Sequence, residues 1–312
     1  MPPVKRKWLE FTVGFLSIAF IGSYFSSHFD EFRKIAHLEP ADIIAIVILS
    51  FAIHLLIGYK VLLILRQLGL RAITYWEWLK IFTVSRFINF HLTQGANVYR
   101  SVLLKKDYDF SYTKSISVML IFSWVDVVFI FFLAWVAFAL TGSHWKIGAF
   151  DLVFLLSGAL FALIVFPVAV YAVFRRLDVR APRLRWLHDK CLEMAAYTKE
   201  SVRDHVLLKR FFILSAASFV LYVLAVYIAF ASIGVHLSAE ASLLFTVVIL
   251  LNSVVNITPN NIGVMELLYG GLAHIMGLTL GEGVLACGII RVLGYFLVGG
   301  LTLLCLGKKN KK

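Results

Sequence analysis

Asp126 stands about a third of the way into an apolar run over 118–140, and Arg291 stands 165 positions later in a second such run over 284–306. A charge at that depth costs roughly 2.5 to 3.5 kcal/mol on insertion scales unless it is paired or faces a wet cavity. Two roles follow: a structural ion pair between Asp126 and Arg291, or a gate or headgroup contact. In both, the two side chains face the protein interior. Arg100 and Glu266 each follow a polar break, seven residues after Thr93 and eight after Thr258. Arg100 is either a juxtamembrane cation or a guanidinium whose fork suits a lipid phosphate. Glu266 falls where a helix opens after Gly263, and a carboxylate in a first turn caps free N–H groups.

Pro259, Asn260, Asn261 and Gly263 form a helix-breaking cluster, with Asn252 and Asn256 on the segment before it. Asn tolerates left-handed backbone and carries both donors and acceptors. At membrane depth such a break is tolerated only where it is buried in protein or lines a watery cavity. The alternative is a plain loop between helices near the outer face. The nine histidines, including His54, His91 and His274, show no i, i+3 or i, i+4 metal pairing and are read as satisfied interior or interfacial residues. Cys191, Cys287 and Cys305 lack zinc-ligand spacing and are expected as free thiols. No Gly-x-Ser-x-Gly, Walker or Rossmann pattern occurs. No catalytic residue, metal or cofactor is therefore expected.

The elements that position these residues follow from composition. Of 312 residues, 61% are hydrophobic and 15% charged, against about 25% charged in soluble domains. The mean hydropathy is +0.87. Apolar runs over 11–27, 43–65, 118–140, 150–174, 211–233 and 284–306 are long enough to span about 30 Å of hydrocarbon. Two shorter stretches, 79–92 and 242–255, suit broken or re-entrant helices and lead into the polar breaks. The runs do not alternate, which excludes a barrel. The expectation is an all-α polytopic membrane protein, one membrane domain over 1–312, with six clear spans and two short elements.

The net charge of +12 is explained by topology rather than by nucleic acid. Lys5, Arg6 and Lys7, then Arg66 and Arg71, then Arg100, Lys105, Lys106 and Lys114, and finally Lys308 to Lys312 fit the cytoplasmic side. Segment 175–210 carries ten Lys and Arg residues with Leu184, Trp186, Leu187, Leu192 and Met194 interleaved. It reads as an amphipathic helix on an anionic inner leaflet. Loops 234–239 and 277–283 hold no Lys or Arg. A multi-pass inner-membrane protein with both termini cytoplasmic is expected. The first run has no small-x-small site after it and is read as a retained helix, not a signal peptide.

An offset of 165 also lays Thr258 on Thr93 and the helix at 211 close to that at 43. The order of elements repeats over about 42–140 and about 207–306. One extra helix, 150–174, lies between the halves, so the copies have opposite orientation. In transporters with such inverted repeats the substrate site lies at the repeat interface, beside discontinuous helices.

Residues 259–266, Pro-Asn-Asn-Ile-Gly-Val-Met-Glu, followed by Arg291 and Tyr295, resemble the Pro-Gly-Gly-x-Gly-x-x-Glu and Arg-x-x-x-Tyr patterns of the lysylphosphatidylglycerol synthase and flippase transmembrane-region family. Gly95 to Arg100 with Asp126 is similar to the family's Gly-Glu-x-x-Arg and Glu-Arg-x-x-Asp. Asn260 and Asn261 replace the glycine pair, Ala96 and Asn97 stand where Gly-Glu is usual, and Phe122 and Ser123 stand where Glu-Arg is usual. The family's aminoacyl-transfer activity lies in a separate soluble domain, and a stand-alone membrane module is expected here. The resemblance implies translocation of an anionic or lipid-linked substrate between leaflets. Arg100 and Arg291 would attract phosphate. Asp126 and Glu266 would balance charge, and Asn256, Pro259, Asn260, Asn261 and Gly263 would line the path. The alternative is a membrane subunit or enzyme of lipid-linked sugar modification. A third reading is a scaffold for a synthase partner.

Overall fold

The computed structural model describes residues 23, 26, 33, 34, 38–92, 94–141, 146, 147, 150–176, 182–251 and 258–307. Ten helices follow in chain order: α1 (Pro40–Gln67), α2 (Tyr75–His91), α3 (Gly95–Tyr108), α4 (Tyr112–Thr141), α5 (Leu152–Arg176), α6 (Pro182–Arg203), α7 (His205–Ala231), α8 (Ala239–Leu251), α9 (Val264–Ile275) and α10 (Leu280–Gly307). Two paired strands of two residues each, β1 (Lys146–Ile147) and β2 (Phe150–Asp151), join α4 to α5.

Among the described residues five helices have the length and hydropathy to cross a bilayer: Pro40–Gln67, Tyr112–Leu140, Leu152–Val173, His205–Ala231 and Leu280–Gly307. They coincide with five of the six expected runs. The sixth, 11–27, lies outside the described residues apart from Ser23 and Ser26, both helical. At roughly 1.5 Å per residue, α2 with 17 residues and α9 with 12 fall short of a full hydrocarbon crossing, and the described part of α8 holds 13 residues.

Local chemistry sets the helix boundaries. The Thr74 N–H donates to Glu77 Oε2 at 2.9 Å and the Glu77 N–H to Thr74 Oγ1 at 3.3 Å. This capping box opens α2 four residues before the apolar stretch begins. Thr279 and Glu282 repeat it at α10, and Asp204 Oδ1 caps α7 by accepting from Val206 and Leu207.

The distribution of polarity is that of a chain in lipid. Phe154, Phe161, Phe166, Phe296, Leu303 and Leu304 are exposed, whereas His54, Lys60, Thr83, Asp126, Ser215, Thr246 and Asn261 are buried. Outward apolar surface against hydrocarbon costs nothing, and inward polar groups find partners there.

The chain forms two compact units: Met1–Leu55 with Phe82–Ala96 and Phe219–Lys312, and Leu56–Ile81 with Asn97–Ser218. In the first unit α9 packs against α8 and α10. The Tyr269 hydroxyl donates to the Phe245 carbonyl at 2.8 Å, within a cluster that includes Phe230, Ala273, Leu285 and Ala286. At Gly283 an added Cβ would lie 2.3 Å from the Tyr269 carbonyl oxygen, so only glycine lets α10 approach α9 there. In the second unit α4, α5 and α6 pack together, and the Trp124 indole donates to the Leu163 carbonyl at 2.9 Å.

Candidate functional site

Between α8 and α9 the described residues form a short 3-10 turn, Pro259–Asn261. Asn260 and Asn261 both have φ of 50°, and Gly263 has φ of 84°. Left-handed backbone is accessible to Asn and Gly at small cost. The turn therefore reverses direction and leaves carbonyl oxygens unused by any helix. The Thr258 N–H donates to Asn261 Oδ1 at 3.3 Å, and the Thr258 hydroxyl donates to the Ile262 carbonyl at 3.0 Å.

Arg291 on α10 collects those carbonyls. Its Nη2 donates to the Asn260 carbonyl at 2.7 Å, and its Nη1 donates to the Asn261 carbonyl at 3.4 Å and to Glu266 Oε1. Glu266 Oε2 accepts the Gly263 N–H at 2.8 Å. One guanidinium and one carboxylate thus tie α10, the turn and the first turn of α9 together, and Glu266 is both cap and counter-ion. One helical turn beyond Arg291, the Tyr295 hydroxyl lies 3.3 Å from His91 Nε2, among the rings of Phe87 and Phe90.

Asp126 and Arg291, the two residues expected to pair, each have another partner within their own unit. Asp126 on α4 is ion-paired with Lys60 of α1. Ser215 Oγ on α7 donates to Asp126 Oδ1 and accepts from Lys60 Nζ, both at 3.2 Å. The ammonium also lies 5.6 Å from the Phe122 ring centroid and 5.2 Å from that of Phe211, so ring quadrupoles replace part of its lost hydration. Lys60 on α1 satisfies the carboxylate, and Glu266 satisfies the guanidinium.

Arg100 on α3 donates from Nη2 to Asn97 Oδ1 at 2.6 Å. Desolvation lowers its pKa to about 10, which leaves it charged at neutral pH. Asn260, Asn261, Gly263, Glu266 and Arg291 are brought together, and Pro259 opens their turn. Asn256 lies outside the described residues.

Sequence reasoning missed Lys60, Ser215 and Arg86. The rule that selected Asp126, a charge inside an apolar run, applies equally to Lys60 in 43–65 and to Arg86 in 79–92. Lys60 stands close enough to Arg66 to be taken for the end of its run.

Long apolar helices, polar groups turned inward and a broken helix fixed by an ion pair define a polytopic helical membrane protein. The lysylphosphatidylglycerol synthase TM region family matches residues 8–301. The chain belongs to that family, and its function is related to membrane lipid. No curated protein and no solved structure matches the chain.

Proposed function

We propose that this protein moves an anionic phospholipid or lipid-linked substrate between leaflets. The observation that carries the reading is the Arg291–Glu266 clamp on the left-handed turn between α8 and α9. Both flanking helices are apolar, and α9 with 12 residues is too short to span. Irregular backbone between such helices belongs where protein or a watery cavity surrounds it, and broken helices of this kind form the substrate sites of transporters. Arg291 holds the turn's shape, because its guanidinium is committed to Glu266 and two carbonyls. That leaves headgroup attraction to other cations, Arg100 among them.

An inverted repeat over about 42–140 and about 207–306 is part of the proposal. Positions 126 and 291, 165 residues apart, each anchor a buried or half-buried ion pair, to Lys60 and to Glu266. α2 is a short helix leading into a break, and the described part of α8 holds 13 residues.

The test is leaflet exchange in proteoliposomes with labelled phosphatidylglycerol, phosphatidylcholine and a polyprenyl phosphate, scored by an impermeant quencher. Exchange of an anionic lipid faster than in protein-free vesicles is expected. No acceleration with any of the three lipids overturns the reading.

A further inference from the structure

We propose that Arg86 is a phosphate-binding residue at mid-membrane depth, aimed by His54. The ligand class is a phosphate group, carried on a lipid headgroup or free in solution. The proposal names a binding residue for the translocation reading and rests on that reading for its purpose.

Depth comes first. His54 is buried near the middle of α1, about 20 Å along the axis from either end at 1.5 Å per residue. Arg86 on α2 donates from Nη1 to His54 Nδ1 at 3.1 Å, which places the guanidinium beside the centre of a spanning helix. An arginine there is costly unless it is neutralised or wet, and such residues mark substrate pathways.

No carboxylate among the described residues neutralises Arg86. Among the described residues it takes part in no ion pair, unlike Lys60 with Asp126 and Arg291 with Glu266. Its partner His54 is neutral, because arginine only donates and Nδ1 must accept. The ring proton then lies on Nε2 and is donated to Thr83 Oγ1 across 2.8 Å. Thr83 and His54 therefore fix the acceptor that fixes the guanidinium. The ring is also held against Phe82, at a centroid distance of 5.2 Å.

The remaining donors of Arg86 are accessible. Arg66 Nε, Ser115 Oγ and Ser201 Oγ are the buried side-chain polar atoms without a partner among the described residues, and no atom of Arg86 is with them. Arg86 is half-buried, so its side chain keeps a share of accessible surface. One N–H anchored and a planar fork left free is the arrangement that receives two phosphate oxygens at once.

The experiment uses the full chain in detergent, titrated with short-chain phosphatidylglycerol, phosphatidylcholine and inorganic phosphate, with thermal shift reporting affinity. Phosphatidylglycerol should stabilise the wild type, and Arg86→Gln should weaken its binding about tenfold or more, as expected for charge-assisted hydrogen bonds. Inorganic phosphate acting with the same dependence on Arg86 assigns the site to the free anion, and its inactivity assigns it to the lipid. Arg86→Lys keeps the charge and a donor for His54, so it remains informative where Arg86→Gln does not fold. It should bind several-fold more weakly, because the fork is gone. Wild-type affinity in either folded variant, or no binding by the wild type, overturns the proposal. Binding that depends on Arg86 without leaflet exchange would sink translocation and keep the site. Exchange with unaltered binding in Arg86→Gln would do the reverse.

Discussion

Separating Lys60 from Asp126 should be among the most damaging single changes in the protein. Lys60 is 2% exposed and Asp126 9%, so neither charge can recover water by a small movement. Removing one partner of a buried pair typically costs about 3–5 kcal/mol. Asp126→Leu leaves the ammonium with Ser215 and the faces of Phe122 and Phe211. Desolvated cation–π contacts are worth about 0.5–2 kcal/mol, which places the expected loss near the lower end, about 3 kcal/mol. Lys60→Met leaves the carboxylate with Ser215 alone, and a similar loss is expected. Replacing both by apolar residues of comparable volume removes the desolvation problem itself. The double variant Lys60→Met/Asp126→Leu should therefore lie within about 1 kcal/mol of wild type. Unfolding in mixed micelles, followed by tryptophan fluorescence, measures all four proteins. A coupling energy of about 2 kcal/mol or more is the expected result. Single variants as stable as wild type, or a double variant whose loss equals the sum of the singles, would refute the buried-pair account.

Glu266→Gln should cost about 2–4 kcal/mol, since it leaves Arg291 without its counter-charge and keeps only neutral contacts; the same unfolding assay checks it. Gly283→Ala should strongly destabilise the first unit, because its Cβ would lie 2.3 Å from a backbone oxygen, whereas Gly288→Ala, with nothing within 4 Å, should be neutral or slightly stabilising. Thermal unfolding of the two variants side by side gives the comparison. In a cysteine-free background on intact cells, a cysteine at exposed Glu200 should resist an impermeant maleimide and one at Ser238 should react, as expected if α6 faces the cytoplasm; the opposite pattern reverses the orientation.

The spans were legible because continuous hydropathy is a local property, and α1, α4, α5, α7 and α10 follow the apolar runs closely. The early start of α2 was also written locally, in Thr74 and Glu77, but it precedes the apolar stretch and hydropathy alone passes over it. Glu266 as a cap was legible from its distance to Gly263. The partner of Asp126 was not. Lys60 lies 66 positions away, and nothing in one sequence says which of several charges a carboxylate will meet. The 165-residue offset directed attention to Arg291, whereas packing of α1, α4 and α7 around Asp126 decided the matter. For Arg291, sequence gave the residue but not its task, since two of its three acceptors are main-chain oxygens and have no letter in the code.

That use of main-chain oxygens bears on which sequences can diverge while preserving the clamp. The lining recognised by Arg291 is a backbone conformation, so any residue content compatible with left-handed φ presents the same two oxygens. A Gly-Gly pair and an Asn-Asn pair are interchangeable in this respect, which fits Pro-Asn-Asn standing where the pattern it resembles has Pro-Gly-Gly. The two positions are not equally free to drift. At 260 the carbonyl is engaged by Arg291, whereas Asn261 also lends its side-chain oxygen to the Thr258 N–H, so glycine would go unnoticed at the first and leave the Thr258 N–H without its acceptor at the second.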